Sequence, residues 1–351
     1  MELESFQIVK ILTLSATAFV LAFVLAPLLI KLLNKWGIGK SIRGYADVPI
    51  FSKLHLKKEG TPTMGGILIW GTVFLLVVVF SCVANNFPNS IFADFNFLSR
   101  KETLLPLGAL IASAIVGFVD DYIDVKKLRG VAGGLRMRHR LLIYTLIAVV
   151  GAWWFSAKLD WDLLHVPFLG DFNIGLLYIP FFIFVIVSTA FSVNESDGLD
   201  GLAGGTLFAG FGAYTIIAFA QGRYDLAALC GVIIGALLAF LWFNIHPARF
   251  IMGDTGAMAL GVTLGIVALL TNSALLLPLI GIVYVIESLS VIGQVIVRKT
   301  RKKKWLKSAP LHHHLEAIGW QEPKIVMRFW IISFVFAALG VVVALLDALV
   351  T

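Results

Sequence analysis

The hydrophobic pattern of the chain is a series of long apolar stretches separated by short segments that contain Gly, Pro or charged residues. Most stretches approach the roughly 20 residues that a helix needs to cross a hydrocarbon layer about 30 Å thick. The pattern predicts an all-α, polytopic membrane protein with about ten transmembrane helices in a single integral-membrane domain, residues 1–351. The predicted spans are approximately residues 8–33, 63–83, 103–119, 139–157, 174–193, 202–220, 226–243, 257–272, 274–298 and 328–349.

The stretches 257–272 and 274–298 have almost no linker between them, so they can also be interpreted as one long re-entrant hairpin. The first stretch is too long for a cleaved signal peptide and lacks a short basic segment with an A-x-A-type site. We therefore expect it to remain as a membrane span.

The composition agrees with a membrane protein. Hydrophobic residues make up 59% of the chain and charged residues only 14%, which disfavours a soluble globular fold. The two cysteines, Cys82 and Cys230, both lie inside apolar stretches. They cannot build a disulfide framework or a cysteine-based metal site.

The basic residues are distributed unevenly between the predicted loops. Of the 28 Lys and Arg residues, 23 fall in the odd-numbered loops and four in the even-numbered loops. The positive-inside rule then predicts cytoplasmic odd loops and both termini outside. The same residues, with a net charge of +7, also suit anionic lipid head groups and a nucleotide diphosphate. No nucleic-acid partner is expected.

Three clusters of acidic residues lie at the ends of apolar stretches, all on odd loops. An acid near hydrocarbon is costly and tends to be functional, paired or metal-bound. In the first cluster, Asp120 and Asp121 close the third span. Neighbouring side chains on a helix point about 100° apart, so one carboxylate can bind a cation or orient its neighbour while the other takes a proton. A solvated helix end is the simpler alternative, although acids there oppose the helix dipole.

The second and third clusters combine acids with Asn and Gly. Asn194, Asp197 and Asp200 precede a Gly-rich segment, and if this segment is helical the two acids share a face. An ordinary Asp-Gly turn is the alternative. In the third cluster, Asn244 and Asp254 flank a Gly-bounded loop whose oxygen ligands suit Mg²⁺. Asp254 is the best candidate for a metal ligand.

Three consecutive histidines, His312, His313 and His314, follow the penultimate span. Adjacent side chains rarely converge on one ion, and the nearby oxygen ligands favour Mg²⁺ over Zn²⁺. We therefore expect these histidines to bind phosphate or to order their loop. A cytoplasmic amphipathic helix with incidental histidines is the alternative.

Together, these motifs resemble the phospho-N-acetylmuramoyl-pentapeptide transferase family, a branch of the polyprenyl-phosphate N-acetylhexosamine-1-phosphate transferase superfamily. The acidic clusters are shared across the superfamily, whereas GTPTMGG and PLHHH look specific to this branch. The matching segments are HLKKEGTPTMGG at residues 55–66, the pair at 120–121, Asn194 with DGLDG at 197–201, GDTG at 253–256 and PLHHH at 310–314.

The resemblance implies a cytoplasm-facing cleft in the bacterial inner membrane, Mg²⁺ bound by Asp254, and a homodimer among membrane lipids. It implies transfer of phospho-N-acetylmuramoyl-pentapeptide from its UDP donor to undecaprenyl phosphate, with release of UMP. The implied catalytic residues are Asp120, Asp121, Asp254, His312 and His313. The implied substrate-binding residues are Lys58, Thr63, Asn194, Asp197, Asp200, Asn244 and His314.

The chain departs from the family pattern at three places. Glu195-Ser196 replaces Leu-Thr, Ile251 stands where the family usually has a Phe that can stack on uracil, and residues 128–131 replace a Lys-Gly-Leu segment.

The chemistry leaves two routes open: direct attack by the lipid phosphate, or two steps through a phospho-Asp intermediate.

Two other functions compete with this interpretation. One is transfer of N-acetylglucosamine-1-phosphate by a sister branch of the superfamily. The other is ion-coupled transport, since intramembrane acids are also typical of transporters. The acids here cluster at one membrane face and the sequence has no visible inverted repeat. Both observations disfavour the transporter.

Overall fold

The computed structural model describes residues 2–39, 55, 58–100, 102–126, 135, 137–159 and 161–350. These residues form twelve α-helices and one two-stranded hairpin, β1 (Leu163–Val166) and β2 (Gly170–Asn173). The helices are α1 (Glu2–Lys35), α2 (Gly66–Asn86), α3 (Leu104–Val125), α4 (Met137–Leu159), α5 (Tyr178–Ser196), α6 (Leu202–Ala220), α7 (Tyr224–Asn244), α8 (Asp254–Leu270), α9 (Leu277–Ile280), α10 (Ile282–Arg301), α11 (Leu311–Ala317) and α12 (Glu322–Val350).

The prediction of an all-α, multi-pass membrane protein is confirmed. Eight of the described helices, α1 to α7 and α12, are long and apolar enough to cross a membrane. The count becomes nine if the bent pair formed by α10 and the segment 274–280 is one span, and α8 is a shorter apolar helix of 17 residues. The count of ten spans and the outside location of both termini stay predictions.

The predicted span 274–298 is sharply bent. Its two parts meet at an angle of 82°. Pro278 lies in the first turn of α9, where a proline is tolerated, and Gly281 lies at the break. The chain therefore turns sharply just before α10, whose last turn carries Arg298, Lys299 and Arg301.

Helix α8 lies at the centre of the bundle, packed against α3, α5 and α2. Glycines allow this close packing. A Cβ added at Gly117 of α3 would lie 2.3 Å from the Asp254 backbone oxygen, and one added at Gly66 would lie 2.2 Å from the Gly256 Cα. Only residues without a side chain let helix backbones approach so closely. The last two turns of α3 are thereby held beside the first turn of α8.

The segment between α5 and α6 is a turn and not a helix. Helix α5 ends at Ser196 and α6 begins at Leu202, after Gly201 with a φ of +82°. Glycine adopts this left-handed conformation without steric cost. The condition for Asp197 and Asp200 to share a helical face is therefore not met, and the segment forms the Asp-Gly turn that was the alternative. The two acids contact different partners.

The β hairpin was not predicted, because its four-residue strands are too short to give a periodic signal. It connects α4 to α5 and packs against the far end of α12. His165 Nε2 lies 2.5 Å from Asp347 Oδ2, and the Phe168 backbone N–H donates to Asp347 Oδ1 at 2.6 Å. On its other side, His165 Nδ1 lies 2.8 Å from Asp171 Oδ1. One imidazole thus connects the hairpin to the last helix.

Candidate active site

The carboxylates predicted from the sequence converge on one guanidinium group. Arg140, in the first turn of α4, donates from Nε to Asp120 Oδ2 at 2.8 Å and from Nη2 to Asp254 Oδ2 at 2.5 Å. Its Nη1 donates to Asn194 Oδ1 at 2.9 Å. Asn194 Nδ2 in turn donates to Asp254 Oδ1 at 2.5 Å. Four helices, α3, α4, α5 and α8, therefore contribute one side chain each to a compact cluster.

Asp121 points away from this guanidinium and caps α8. Its Oδ1 accepts from the Asp254 backbone N–H and its Oδ2 from the Thr255 backbone N–H, both at 3.0 Å. The first N–H groups of a helix have no partner within the helix, so a carboxylate is stabilising there. The expected divergence of Asp120 and Asp121 is present, and the contacts of Asp121 favour a positioning role.

Two further residues contact the turn before α8. Asp197 Oδ2 accepts from the Gly253 backbone N–H at 3.1 Å. Thr63 is buried, and a Cβ added at Gly253 would lie 2.8 Å from its Oγ1 and 2.6 Å from Asp121 Oδ2. Gly253 also has a φ of +73°. A side chain at this position would therefore push apart the residues that surround Asp254.

Lys58 lies in a second ionic cluster beside the first. Its ammonium group donates to Asp200 Oδ1 at 2.7 Å and to Glu322 Oε1 at 2.5 Å. Asp200 Oδ2 also accepts from the Ala248 backbone N–H and lies 3.0 Å from His246 Nδ1. Burial opposes ionisation of Asp200, but the Lys58 ammonium and these hydrogen bonds bring its pKa below the ordinary value. Asp200 is therefore held as a carboxylate.

Asn244 is buried and both polar atoms of its side chain bind backbone groups. Its oxygen accepts from the Gly201 N–H at 2.9 Å, and its nitrogen donates to the Phe250 carbonyl at 2.8 Å. Phe250 itself is fully buried, with its ring 5.0 Å from that of Phe240. Asn244 thus fixes two loops against each other. Because the Phe250 ring is buried, it does not take the place of the Phe that the family usually has at position 251 for stacking on uracil.

The three histidines of α11 turn to different partners. His312 is fully buried with Nδ1 3.0 Å from Glu287 Oε2, and His314 Nδ1 accepts from the Lys307 backbone N–H at 3.2 Å. His313 Nδ1 lies 2.7 Å from Glu316 Oε2. The expectation that consecutive histidines do not share one ion agrees with this arrangement.

Glu316 joins two imidazoles from distant parts of the chain. The oxygen that contacts His313 also lies 3.1 Å from His55 Nε2. Burial, with the neighbouring His312, lowers the pKa of His313 to about 3. Burial opposes ionisation of Glu316, but the hydrogen bonds from His313 and His55 lower its pKa to about 2. At neutral pH this network therefore contains a carboxylate and a neutral His313.

The donor set around Arg140 fits a hard divalent cation. Oxygens of Asp120, Asn194 and Asp254 already surround one positive charge, and Mg²⁺ prefers such oxygen ligands. Two groups of described His and acidic side chains elsewhere have ligand atoms within 4.8 Å of one another, but each includes an imidazole nitrogen, which Mg²⁺ favours less than oxygen. These groups are His55 with His313 and Glu316, and Asp200 with His246 and Glu322.

Six ionisable residues of these clusters were not predicted as site residues: Arg140, Glu287, Glu316, Glu322, His55 and His246. Arg140 was counted only as a basic residue of a loop. Glu316 follows the three histidines, and Glu322 lies in a loop that was interpreted only through its basic residues. Glu287 is an acid inside an apolar stretch, so the rule that identified the Asp clusters also applied to it. Residues 128–131, where the sequence departs from the family pattern, lie outside the described residues.

The comparisons with known proteins identify the class of enzyme. Residues 103–272 match the model of glycosyl transferase family 4, and residues 58–69 match the phospho-N-acetylmuramoyl-pentapeptide-transferase signature 1. Between them, the two segments hold most of the site, from Lys58 to Asp254.

Full-length relatives identify the family within this class of enzyme. A phospho-N-acetylmuramoyl-pentapeptide-transferase of Chloroflexus aurantiacus is 39% identical over 350 residues, which cover 96% of this chain and 90% of the relative. The enzyme of the same name from a Geobacillus species is 42% identical over 325 residues, covering 92% and 94%. That of Bacillus anthracis is 39% identical over 334 residues, covering 94% and 97%. The chain belongs to the phospho-N-acetylmuramoyl-pentapeptide-transferase family.

Proposed function

We propose that the protein transfers phospho-N-acetylmuramoyl-pentapeptide from its UDP donor to undecaprenyl phosphate, giving a lipid-linked product and UMP. The observation that carries the proposal is the convergence of Asp120, Asn194 and Asp254 on Arg140 at the end of the bundle where the basic loops lie. Full-length similarity to enzymes named for this reaction supports it.

The chemistry must overcome repulsion between two anions. A lipid phosphate oxygen attacks the sugar-bound phosphorus of the donor, a new phosphoanhydride forms, and UMP leaves. The cluster of Asp120, Asp121, Asp197 and Asp254 contains one described cation, Arg140, so its carboxylates exceed its positive charge. An anionic diphosphate approaches such a cluster only when further positive charge is present.

Mg²⁺, held by Asp254 with Asn194 and Asp120 as neighbouring oxygen donors, would supply that charge and polarise the transferred phosphoryl group. Asp121 keeps Asp254 in place through the first turn of α8. Both oxygens of Asp120 accept hydrogen bonds, from Arg140 and from the Leu135 backbone N–H. This fixed orientation favours a role in positioning the lipid phosphate, and hence direct attack over a phospho-Asp intermediate.

Lys58 and Asp200 contribute to the donor pocket in this proposal. The Lys58 ammonium, paired with Asp200 and Glu322, is the cation that we assign to the donor diphosphate. The histidine segment orders the neighbouring turn, and Thr63 closes the site beside Gly253.

A donor assay tests the proposed function. Purified protein with Mg²⁺ should release UMP from UDP-N-acetylmuramoyl-pentapeptide in the presence of undecaprenyl phosphate, and very little from UDP-N-acetylglucosamine. Omission of Mg²⁺ should stop the reaction. Preference for the N-acetylglucosamine donor would assign the protein to the sister reaction instead.

Localisation and topology belong to the same proposal. We place the protein in the bacterial inner membrane as a homodimer, with ten spans and both termini outside. Cysteine labelling should mark Lys303 from the cytoplasmic side and Asn86 and Lys158 from the other side. Lys57 and Lys127, outside the described residues, should label with Lys303. Labelling of Lys158 and Lys303 from the same side would refute this topology.

A further inference from the structure

A fully buried carboxylate lies on α10, outside the acidic clusters predicted from the sequence. Glu287 has no exposed surface, and a buried acid is costly unless it is paired. Both of its carboxylate oxygens face one residue of α11. Oε1 accepts from the His312 backbone N–H at 3.3 Å, and Oε2 lies 3.0 Å from His312 Nδ1. Glu287 therefore holds His312 at two points.

This pairing determines where the imidazole carries its proton. A carboxylate only accepts hydrogen bonds, so the His312 Nδ1 is the protonated nitrogen. The opposite edge, Nε2, is buried and has no hydrogen-bond partner among the described residues. A proton on Nε2 would be a buried donor without an acceptor, which costs free energy. The neutral ring with its proton on Nδ1 is the form that fits.

The Nε2 edge of His312 lies against Gly198. A Cβ added at Gly198 would lie 2.1 Å from Nε2, so only glycine lets the ring lie so close. Gly198 belongs to the turn between α5 and α6. In the same turn, Asp197 bonds the Gly253 N–H and Asp200 bonds Lys58. The imidazole thus supports the turn that carries two proposed donor-binding acids.

We infer that Glu287 is a positioning residue for the donor-binding turn, residues 197–201, and that it acts by holding the Nδ1-protonated ring of His312 against Gly198. The inference rests on the proposed function, because it assigns a purpose to the turn that would bind the UDP donor. Glu287 itself touches none of the reacting groups.

The variant Glu287→Gln separates this role from simple packing. Glutamine keeps the shape of glutamate but offers one acceptor oxygen in place of two. The backbone N–H of His312 must keep an acceptor, so the amide NH₂ is left facing Nδ1. The ring can then accept at Nδ1 only by moving its proton to Nε2, where it points at Gly198. We therefore expect the tautomer to switch.

Nitrogen NMR of the full-length protein measures this switch. With ¹⁵N-labelled histidine there are seven imidazoles to resolve, and the His312 signal is assigned by its loss in His312→Ala. Wild type should show the Nδ1–H form and Glu287→Gln the Nε2–H form. Ser290→Ala is the matched control, because Ser290 is buried on the same helix and donates only to the Glu287 backbone carbonyl. An unchanged tautomer in Glu287→Gln would overturn the inference.

Steady-state kinetics provide the second measurement. Glu287→Gln should raise the KM for the UDP donor about tenfold while the KM for undecaprenyl phosphate stays within about twofold, because a hydrogen bond to a charged group is lost on the donor side only. Ser290→Ala should change neither. A fall in kcat at unchanged donor KM would overturn the inference. If wild type itself releases no UMP, the proposed function fails, whereas the NMR result still reports on the pairing.

A variant on the other side of the ring keeps the test decisive if Glu287→Gln does not fold. Gly198→Ala places a methyl group against Nε2 and should raise the donor KM. Combined with His312→Ala, which removes the ring, it should cost little beyond His312→Ala alone. Independent, additive effects of the two substitutions would show that the ring does not support the turn.

Discussion

The two ends of the helix bundle both carry ionisable groups, but they balance charge differently. At one end, Asp120, Asp254 and their neighbours share the single guanidinium of Arg140, with a net excess of carboxylate. At the other end, one imidazole, His165, bridges Asp171 and Asp347. Carboxylates outnumber the cation that contacts them at both ends, but Asp120 and Asp254 are 0% and 15% exposed, whereas Asp171 is 53% exposed to water. Buried, unbalanced charge therefore marks the reactive end better than the mere presence of acids.

The position of the cavity would instead suggest a site at the His165 end. A cavity of about 420 Å³ lies at the His165 end, between the hairpin and the ends of α6, α8 and α12. Its walls include Leu345 and Ile217, and Arg223 lies over the ring of Trp161 at its side. None of the residues predicted for the active site lines this cavity. We therefore interpret the cavity as a gap beneath the hairpin and not as the active site.

The largest expected effect is the difference in kcat between two variants that each replace one carboxylate, one at each end of the bundle. Asp254→Asn should lower kcat about a thousandfold, since the group that holds the cation is lost where charge develops. Asp347→Asn should leave kcat nearly unchanged. UMP release under saturating donor, at several Mg²⁺ concentrations, measures both. An Asp254→Asn variant with a tenth or more of wild-type kcat would show that the metal is held elsewhere.

An intermediate effect is expected for Asp121→Asn. An amide offers one acceptor oxygen to two backbone N–H groups, so one hydrogen bond at the start of α8 is lost, at about 1–3 kcal/mol of stability. Asp254 then shifts but keeps its charge, and we expect kcat to fall about tenfold. Thermal unfolding and UMP release should decline together. A loss of activity as complete as that of Asp254→Asn, at unchanged stability, would instead place Asp121 in contact with substrate.

The smallest expected effect is at the other end, where His165→Gln should lower Tm by about 2 °C. Burial opposes protonation of His165, but its hydrogen bonds to Asp347 and Asp171 raise its pKa above the ordinary 6.5. The added stability is therefore fully present below about pH 6.5 and is lost as the pH rises through the folded-state pKa. The Tm difference between wild type and variant should be largest near pH 6 and shrink above it, with kcat unaffected. A difference that grows with pH would contradict this ion pairing.

The sequence predicted the membrane helices and the acids because both have strong local signals. A 20-residue apolar stretch and an acid at its end are each visible without knowledge of the fold. Arg140 could not be assigned, because a single Arg at a helix start is also what topology alone requires. Its contacts come from α3, α5 and α8, which approach one another through Gly117 and Gly261, and such packing is not visible in the sequence.

The turn after α5 and the β hairpin escaped prediction for another reason. Asp197-Gly198-Leu199-Asp200-Gly201 is compatible with a helical face by spacing, but the backbone leaves the helical conformation at Asp197 and Gly201 has a positive φ. The hairpin residues carry no alternation long enough to distinguish strand from loop. Short elements of this kind are selected by their neighbours, here the Asp347 carboxylate of α12 and the Asn272 side chain.

Helix α12 is anchored at both ends, and this limits how its length can vary. Glu322 in its first turn bonds Lys58 and the Asp200 backbone, and Asp347 near its last turn bonds the hairpin. Asp347 lies 25 positions after Glu322, a distance of roughly 37 Å at 1.5 Å per residue. Inserting one residue would rotate one anchor by about 100° relative to the other, so both could not be satisfied. Substitutions on the lipid-facing side of α12 leave both anchors in place. An insertion or deletion between the anchors breaks one of them, so the number of residues between them is constrained.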